Sequence, residues 1–169
     1  LNGIKDFLCA DFTAAPIASA SANVTLTDAR EVTAEADIWL TDPRYAQYAE
    51  QVAAHIASGQ WKSLDDAFWT IIPFGTGGRR GKMYPIGCNA INDRTIGESA
   101  QGLATYVKKN MPAGATLACA IGYDTRHRSR EFAELCSEIM VANGFQVYFL
   151  DGYRSTPEVS YTVRYKNCV

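Results

Sequence analysis

The order of apolar segments along the chain is the feature that most restricts its fold. Short apolar runs suited to buried strands alternate with longer stretches in which apolar residues recur every three or four positions, which is typical of amphipathic helices. This alternation predicts an α/β fold with three layers, α/β/α, around a mixed and mainly parallel sheet, because parallel strands need helical crossovers. The predicted strands are Thr70–Phe74, Leu117–Tyr123 and Phe145–Leu150, and the helices after them are predicted to begin at Thr95, Ser129 and Thr156.

The composition is that of an ordinary globular domain. Of the 169 residues, 47% are hydrophobic and 20% are charged, so the chain is long enough for one domain with a buried core. A formal net charge of -2 gives no basic field for nucleic acid, and no apolar run is long enough to cross a membrane. The five cysteines are scattered and form no Cys-x-x-Cys pair. This spacing favours reduced thiols in a cytoplasmic protein over disulfides or a zinc site.

The first part of the chain differs from the rest. Residues 10–36 are rich in Ala, Ser and Thr and show little periodicity, so residues 1–36 are predicted to be a loosely ordered leader that folding does not require. Regular structure is expected to begin at Asp42, an N-cap residue followed by proline, with a helix that ends at Gly59. A capping box predicts a short helix over Ser63–Trp69. The α/β domain is therefore assigned to residues 37–169.

One loop concentrates glycines and cations. Residues 74–82 read FGTGGRRGK. Glycine lets a backbone turn tightly or approach a ligand closely, and freed backbone N–H groups and guanidinium groups both bind phosphate oxygens. The loop therefore favours a phosphate ligand, and a surface turn with solvated arginines is the alternative that the residues alone leave open. The glycine spacing is not a dinucleotide-binding fingerprint, and Lys82 is not followed by the Ser or Thr of a Walker loop.

Two further polar turns follow predicted strands. Residues 122–126 (GYDTR) come after the second strand, and residues 154–157 (RSTP) come after the third. Because ligands of parallel α/β sheets bind beyond the carboxyl ends of the strands, these turns and the glycine loop are expected to open on one face. Asp124 and Arg126 are expected to pair with each other and to support their loop.

Several polar and glycine-containing motifs follow one another along the chain: FGTGGRRG at 74–81, Asn89 and Asn92, QGLATY at 101–106, GYDTR at 122–126 and TPEVS at 156–160. In this order they resemble the start of the α-D-phosphohexomutase superfamily, the phosphoglucomutases and phosphomannomutases. The resemblance covers about residues 38–167, and WLTDP at 39–43 is similar to the longer phosphoglucomutase and phosphopentomutase branch. Members of the superfamily commonly have leucine where this chain has Arg79. Arg80 is therefore the matching arginine, and the role of Arg79 stays open.

The resemblance implies a reversible transfer of phosphate between the first carbon of a sugar and its sixth carbon, or the fifth carbon of a pentose. In the family, the transfer passes through a phosphoserine and a bisphosphate intermediate, and Mg2+ assists it. The chain would be the first of four domains, with Arg80 as its catalytic residue. Thr76, Gly77, Gly78 and Arg80 would bind the substrate, a glucose, mannose or pentose phosphate, and the remaining domains of the parent enzyme would be the partners.

Two family motifs are missing from these residues. Neither the phosphoserine motif, of the Thr-Ala-Ser-His-Asn-Pro type, nor the metal-binding Asp-x-Asp-x-Asp motif occurs. The chain is therefore expected to be a fragment, truncated before the phosphoserine loop and inactive alone, with the Mg2+ ligands elsewhere in the parent protein and none here. The alternative is a stand-alone α/β module that binds a phosphorylated ligand without catalysis. A nucleotide-binding domain is disfavoured by the missing glycine fingerprint.

Overall fold

The computed structural model describes the backbone of residues 32–169 and the side chains of residues 36–169. In this part of the chain, the elements are α1 (Val32–Thr41), a 3-10 turn (Pro43–Tyr45), α2 (Ala46–Ala57), α3 (Trp61–Phe68), β1 (Phe74–Gly75), β2 (Gly78–Arg79), α4 (Asp93–Asn110), β3 (Ala118–Tyr123), α5 (Ser129–Ala142), β4 (Gln146–Tyr153) and α6 (Thr156–Tyr165). The described residues divide into two compact units, 32–95 and 96–169.

The first unit has a helical core rich in aromatic residues. Trp39 of α1 is 2% exposed and stacks on Tyr45, with ring centroids 4.7 Å apart. The edge of Phe68, in α3, meets the same indole at 5.3 Å. Val52 of α2 and Leu64 of α3 complete the buried cluster. Aromatic rings bury large apolar areas, so these few side chains hold the three helices together.

Helix α1 begins inside the segment that the sequence predicts to be a leader. The helix starts at Val32 rather than at Asp42, and Ala36 as well as Trp39 is buried against α2 and α3. The predicted start of regular structure at Asp42 is therefore wrong for Val32–Thr41. Residues 1–31 lie outside the described residues, so the leader assignment stays a prediction for them.

The first predicted strand is also wrong. Thr70–Pro73 is not a strand, and β1 consists only of Phe74–Gly75. Pro73 has no N–H to donate to a sheet ladder, and Ile71 is 51% exposed instead of buried between layers. Only Ile72 of this run enters the core, where its N–H donates to the carbonyl of Cys88 at 2.9 Å.

The second unit has the predicted α/β/α layering around a parallel pair of strands. Strands β3 and β4 pair in parallel, with Ala118 opposite Gln146. One face packs on α4 and α5 through an apolar cluster that comprises Ala104, Val107, Leu117, Cys119, Ile121, Met140, Phe145 and Val147. Helix α6 covers the opposite face. It packs so closely that a Cβ placed on Gly122 of β3 would lie 2.9 Å from Cγ2 of Val159 in α6. The chain is thus α/β, as the alternation of elements predicts.

Helix ends follow the predicted signals at some positions and not at others. Helix α5 ends before Gly144, whose φ of 86° is the left-handed conformation expected of a C-terminal glycine. Helix α6 begins at Thr156, and Ser155 and Glu158 form a capping box in front of it. Helix α3, in contrast, begins at Trp61 rather than at Ser63, and α5 has Arg128, with a φ of 56°, at the position expected for a capping Ser129.

Candidate functional site: an anchored glycine hairpin

The glycine loop folds into a β-hairpin. Strands β1 and β2 pair antiparallel, with Phe74 opposite Arg79 and Gly75 opposite Gly78, so Thr76 and Gly77 form the turn. Both turn residues are exposed, and a Cβ added to Gly77 would meet nothing within 4 Å. Gly78 has a φ of 128°, which side chains rarely tolerate. The loop therefore presents open backbone to solvent, although it does not follow a parallel strand as the sequence predicts.

The two neighbouring arginines have different surroundings. Arg79 is half-buried in β2, and its Nη1 donates a hydrogen bond to the backbone carbonyl of Thr95 at 2.8 Å. Arg80 follows the strand and is exposed. Neighbouring side chains of an extended segment point to opposite sides, which explains why adjacent and chemically identical groups separate. Arg80 is therefore available to a ligand, whereas Arg79 is tied to the start of helix α4.

Buried polar side chains fix the start of α4. The Oδ1 of Asn92 accepts from the N–H of Thr95 at 3.0 Å, and Thr95 Oγ1 accepts from the N–H of Asn92 at 3.1 Å. This reciprocal pair caps the helix with Asn92. Helix α4 therefore begins at Asp93, before its predicted start at Thr95. Asn92 Nδ2 also donates to the carbonyls of Tyr84 and Gly87, at 3.2 and 3.0 Å. Asn92 and Thr95 are only 2% and 1% exposed.

The segment between the hairpin and α4 packs closely on helix α3. A Cβ on Gly87 would lie 2.3 Å from the carbonyl oxygen of Ala67, and the φ of Gly87 is 93°. Asn89 donates from its backbone N–H to the same carbonyl at 2.8 Å, and from Nδ2 to the carbonyl of Asp66 at 2.9 Å. Asn89 and Asn92, which the sequence marks only as motif residues, therefore support the loop. Nothing in the sequence around Gly87, which lies between Ile86 and Cys88, predicts its close packing on α3.

The turn after β3 contains the expected pair of charges. Arg126 Nε donates to both carboxylate oxygens of Asp124, at 3.1 and 2.8 Å. The backbone N–H of Arg126 donates to Asp124 Oδ1 as well, and this bond is the largest cause that holds the pKa of the carboxyl below its usual value. Ser129 Oγ accepts from the N–H of Asp124 at 3.1 Å, which explains why this serine does not cap α5. The pairing is as expected, and its role as loop support stays a prediction.

The turns after β3 and β4 lie side by side in the second unit. The N–H of Arg154 donates to the carbonyl of Tyr123 at 2.8 Å, and Arg154 Nε donates to the carbonyl of Asp151 at 2.8 Å. The hydroxyl of Tyr123 donates to Asp151 Oδ1 at 3.3 Å. The glycine hairpin belongs to the other unit, so the expectation that all three turns open on one face stays a prediction.

The described residues offer no ready metal site. Nowhere in residues 36–169 do three or more His, Cys, Asp or Glu side chains come together in a way that could hold a metal ion. Over the same part of the chain, every helix is too short or too polar to cross a membrane.

Comparison with known proteins identifies the family. Residues 72–169 match the family described as phosphoglucomutase/phosphomannomutase, alpha/beta/alpha domain I, and the chain belongs to this family. It is 40% identical over 96 residues to a phosphoglucomutase of Staphylococcus epidermidis, covering 57% of this chain and 17% of that protein. It is 32% identical over 129 residues to a phosphoribomutase of Saccharomyces cerevisiae, covering 75% of this chain and 20% of that protein. No solved structure gave a significant match.

A third relative extends the comparison to another yeast. A probable phosphoribomutase of Schizosaccharomyces pombe is 30% identical over 128 residues, covering 76% of this chain and 22% of that protein. The chain thus spans about a fifth of the length of the curated relatives it matches. The membership inferred from the motifs is confirmed, and the matched region includes the hairpin and both turns of the second unit.

Proposed function

We propose that the chain is the first domain of a phosphosugar mutase, in which the glycine hairpin and Arg80 bind the phosphate group that is transferred. The observation that carries the proposal is the hairpin itself, an exposed Thr76-Gly77 turn with the exposed Arg80 just after strand β2, inside a matched phosphoglucomutase/phosphomannomutase domain. The reaction would move phosphate between the first and the sixth carbon of a hexose, or the fifth of a pentose. A phosphoserine and a bisphosphate intermediate would carry it.

The hairpin would act by electrostatic stabilisation. Backbone N–H groups at Gly77 and Gly78 can surround phosphate oxygens, and the planar Arg80 guanidinium can donate two parallel bonds to them. Preorganised donors of this kind lower the barrier for charge that develops in the transition state. Mg2+, when bound, would neutralise part of the phosphate charge, and its ligands and the phosphoserine would come from the rest of the parent enzyme.

The relatives support a phosphorylated sugar as the substrate. The relatives include phosphoglucomutases and phosphoribomutases, so glucose and ribose phosphates are the first substrates to test. A cytoplasmic location is proposed with them, because the scattered spacing of the five cysteines favours reduced thiols.

A turnover assay tests the proposal. The whole protein that carries this chain is incubated with Mg2+, glucose 1,6-bisphosphate and either glucose 1-phosphate or ribose 1-phosphate. We expect formation of glucose 6-phosphate or ribose 5-phosphate, and no turnover by the 169 residues alone. Absence of both products with the whole protein would refute the proposal. Phosphate binding without any turnover would instead favour a binding module.

A further inference from the structure

Arg79 makes a contact that the proposed phosphate site does not itself require. Its guanidinium reaches from β2 to the carbonyl of Thr95, at 2.8 Å, and so joins two segments 16 residues apart. Arg79 stands opposite Phe74, in one of the two residue pairs that make up the hairpin. The contact therefore links the base of the hairpin to the first turn of α4.

The two ends of this link differ in rigidity. A two-stranded hairpin is marginally stable in water by itself, and this one has only two paired positions on each strand. Thr95, by contrast, is 1% exposed, and its hydroxyl donates to the carbonyl of Ala90 at 2.7 Å while it also accepts from the N–H of Asn92. The hydrogen bond thus ties a weak element to a well-fixed one.

We propose that Arg79 is a positioning residue that fixes the hairpin and thereby the direction in which Arg80 meets the phosphate; this inference rests on the proposed function of the hairpin. Arg80 is the next residue along the backbone, so movement of β2 is passed directly to it.

A double-mutant cycle in the whole protein separates positioning from independent effects. We expect Arg79→Met, which keeps an unbranched chain but loses the donors, to lower kcat/KM for glucose 1-phosphate about tenfold, as loss of one charge-assisted bond can do. In an Arg80→Ala background, the same change should have a clearly smaller effect, because only the Gly77 and Gly78 amides, and no arginine, are left to position. Arg79→Lys, which keeps one cationic donor, should recover part of the loss, and Arg164→Met, at an exposed position on α6, should have no effect. Equal losses from Arg79→Met in both backgrounds would overturn the proposal.

Hydrogen exchange supplies a readout that does not depend on turnover. In Arg79→Met, the amides of residues 76–80 should exchange at least several-fold faster, while those of α5 keep their protection. If the whole protein turns over no sugar phosphate, the proposed function fails and this measurement still decides the role of Arg79. Unchanged exchange at 76–80 would overturn the proposal. If Arg79→Met melts below the assay temperature, both measurements are made below its melting temperature under the same criteria.

Discussion

Arg80 and Arg79 show how neighbouring identical residues acquire different roles. The exposed Arg80 has no part in the buried network, so we expect Arg80→Ala in the whole protein to lower kcat/KM by roughly two to three orders of magnitude, comparable with the loss of one preorganised donor. Arg80→Lys should recover only part, because lysine lacks the planar fork. The melting temperature should hardly change. Steady-state kinetics beside melting curves check this, and near-normal turnover of Arg80→Ala would mean that the working arginine is wrongly assigned.

Gly87 is a position at which the backbone packs closely on another element, helix α3. A Cβ there would lie 2.3 Å from the Ala67 carbonyl, in addition to the strain of a φ of 93°. We expect Gly87→Ala to lower the free energy of unfolding by roughly 3 kcal/mol or more, through both effects. Gly144→Ala is the matched control, because Gly144 has a φ of 86° but nothing within 4 Å of the added Cβ. Gly144→Ala should lower the free energy of unfolding by only about 1 kcal/mol.

Urea denaturation of the two glycine variants measures this difference. Equal losses from Gly87→Ala and Gly144→Ala would show that the close approach to Ala67 relaxes at little cost.

Neither the contact of Gly87 with Ala67 nor the hydrogen bond of Arg79 to Thr95 could be predicted from the sequence. The pattern FGTGGRRGK shows that a tight, exposed, cationic loop is present, because glycine and arginine carry that information locally. The anchors at Thr95 and Ala67 depend on segments that approach each other only in the folded chain.

At the scale of elements, capping residues in the sequence predict the start of a helix correctly where a single capping interaction is available. They fail where another residue forms the capping hydrogen bond instead. Ser155 has the capping partner Glu158 and no competitor, and α6 begins as predicted. Thr95 and Glu98 have the spacing of a capping box, but the N–H of Thr95 donates to Asn92, and α4 starts earlier, at Asp93. Ser129 binds the N–H of Asp124 rather than its own helix. Long-range competition of this kind cannot be recognised from residue spacing alone.

The capping box of α6 predicts a pH dependence. Glu158 Oε2 accepts from the N–H of Ser155 at 2.8 Å and from its hydroxyl at 3.0 Å, and these bonds, the backbone bond first, hold the pKa of Glu158 below its ordinary 4.5. A carboxyl whose pKa is lower in the folded state stabilises the fold above its unfolded pKa, and this contribution is lost as the pH falls through the folded pKa. The wild type should therefore have a higher free energy of unfolding than Glu158→Gln near neutral pH, and this difference should be lost as the pH falls.

Unfolding midpoints in urea, taken for both proteins from about pH 7 to about pH 3, check this expectation. The difference between wild type and Glu158→Gln should be largest above about pH 5 and should shrink steadily below the ordinary pKa of 4.5. Glu138→Gln, an exposed change on α5, serves as the control. A difference that stays constant over the whole range would show that the charge of Glu158 contributes nothing to the cap.

At the scale of the whole molecule, the two units differ in how far the sequence predicts them. In residues 96–169, the alternation of strands and helices gives both strands and the α/β/α layering, because each element has its own periodic apolar pattern. In residues 32–95, the core depends on α1, whose sequence VTAEADIWLT has no clear apolar stripe. The packing of Ala36 and Trp39 against other elements makes this segment part of the core, and the composition of the sequence does not reveal that packing.

The boundary between leader and core can be measured by truncation. Removal of residues 1–31 should change the melting temperature by no more than about 2 °C, because these residues have little periodic apolar sequence. Removal of residues 1–41 takes away Trp39, which is 2% exposed, and should cost about 3 to 5 kcal/mol, as Trp39→Ala should in the full chain. Trp69→Ala is the matched control, since Trp69 is 63% exposed and should cost far less. A large loss on removing 1–31 alone would show that the predicted leader is part of the folded domain.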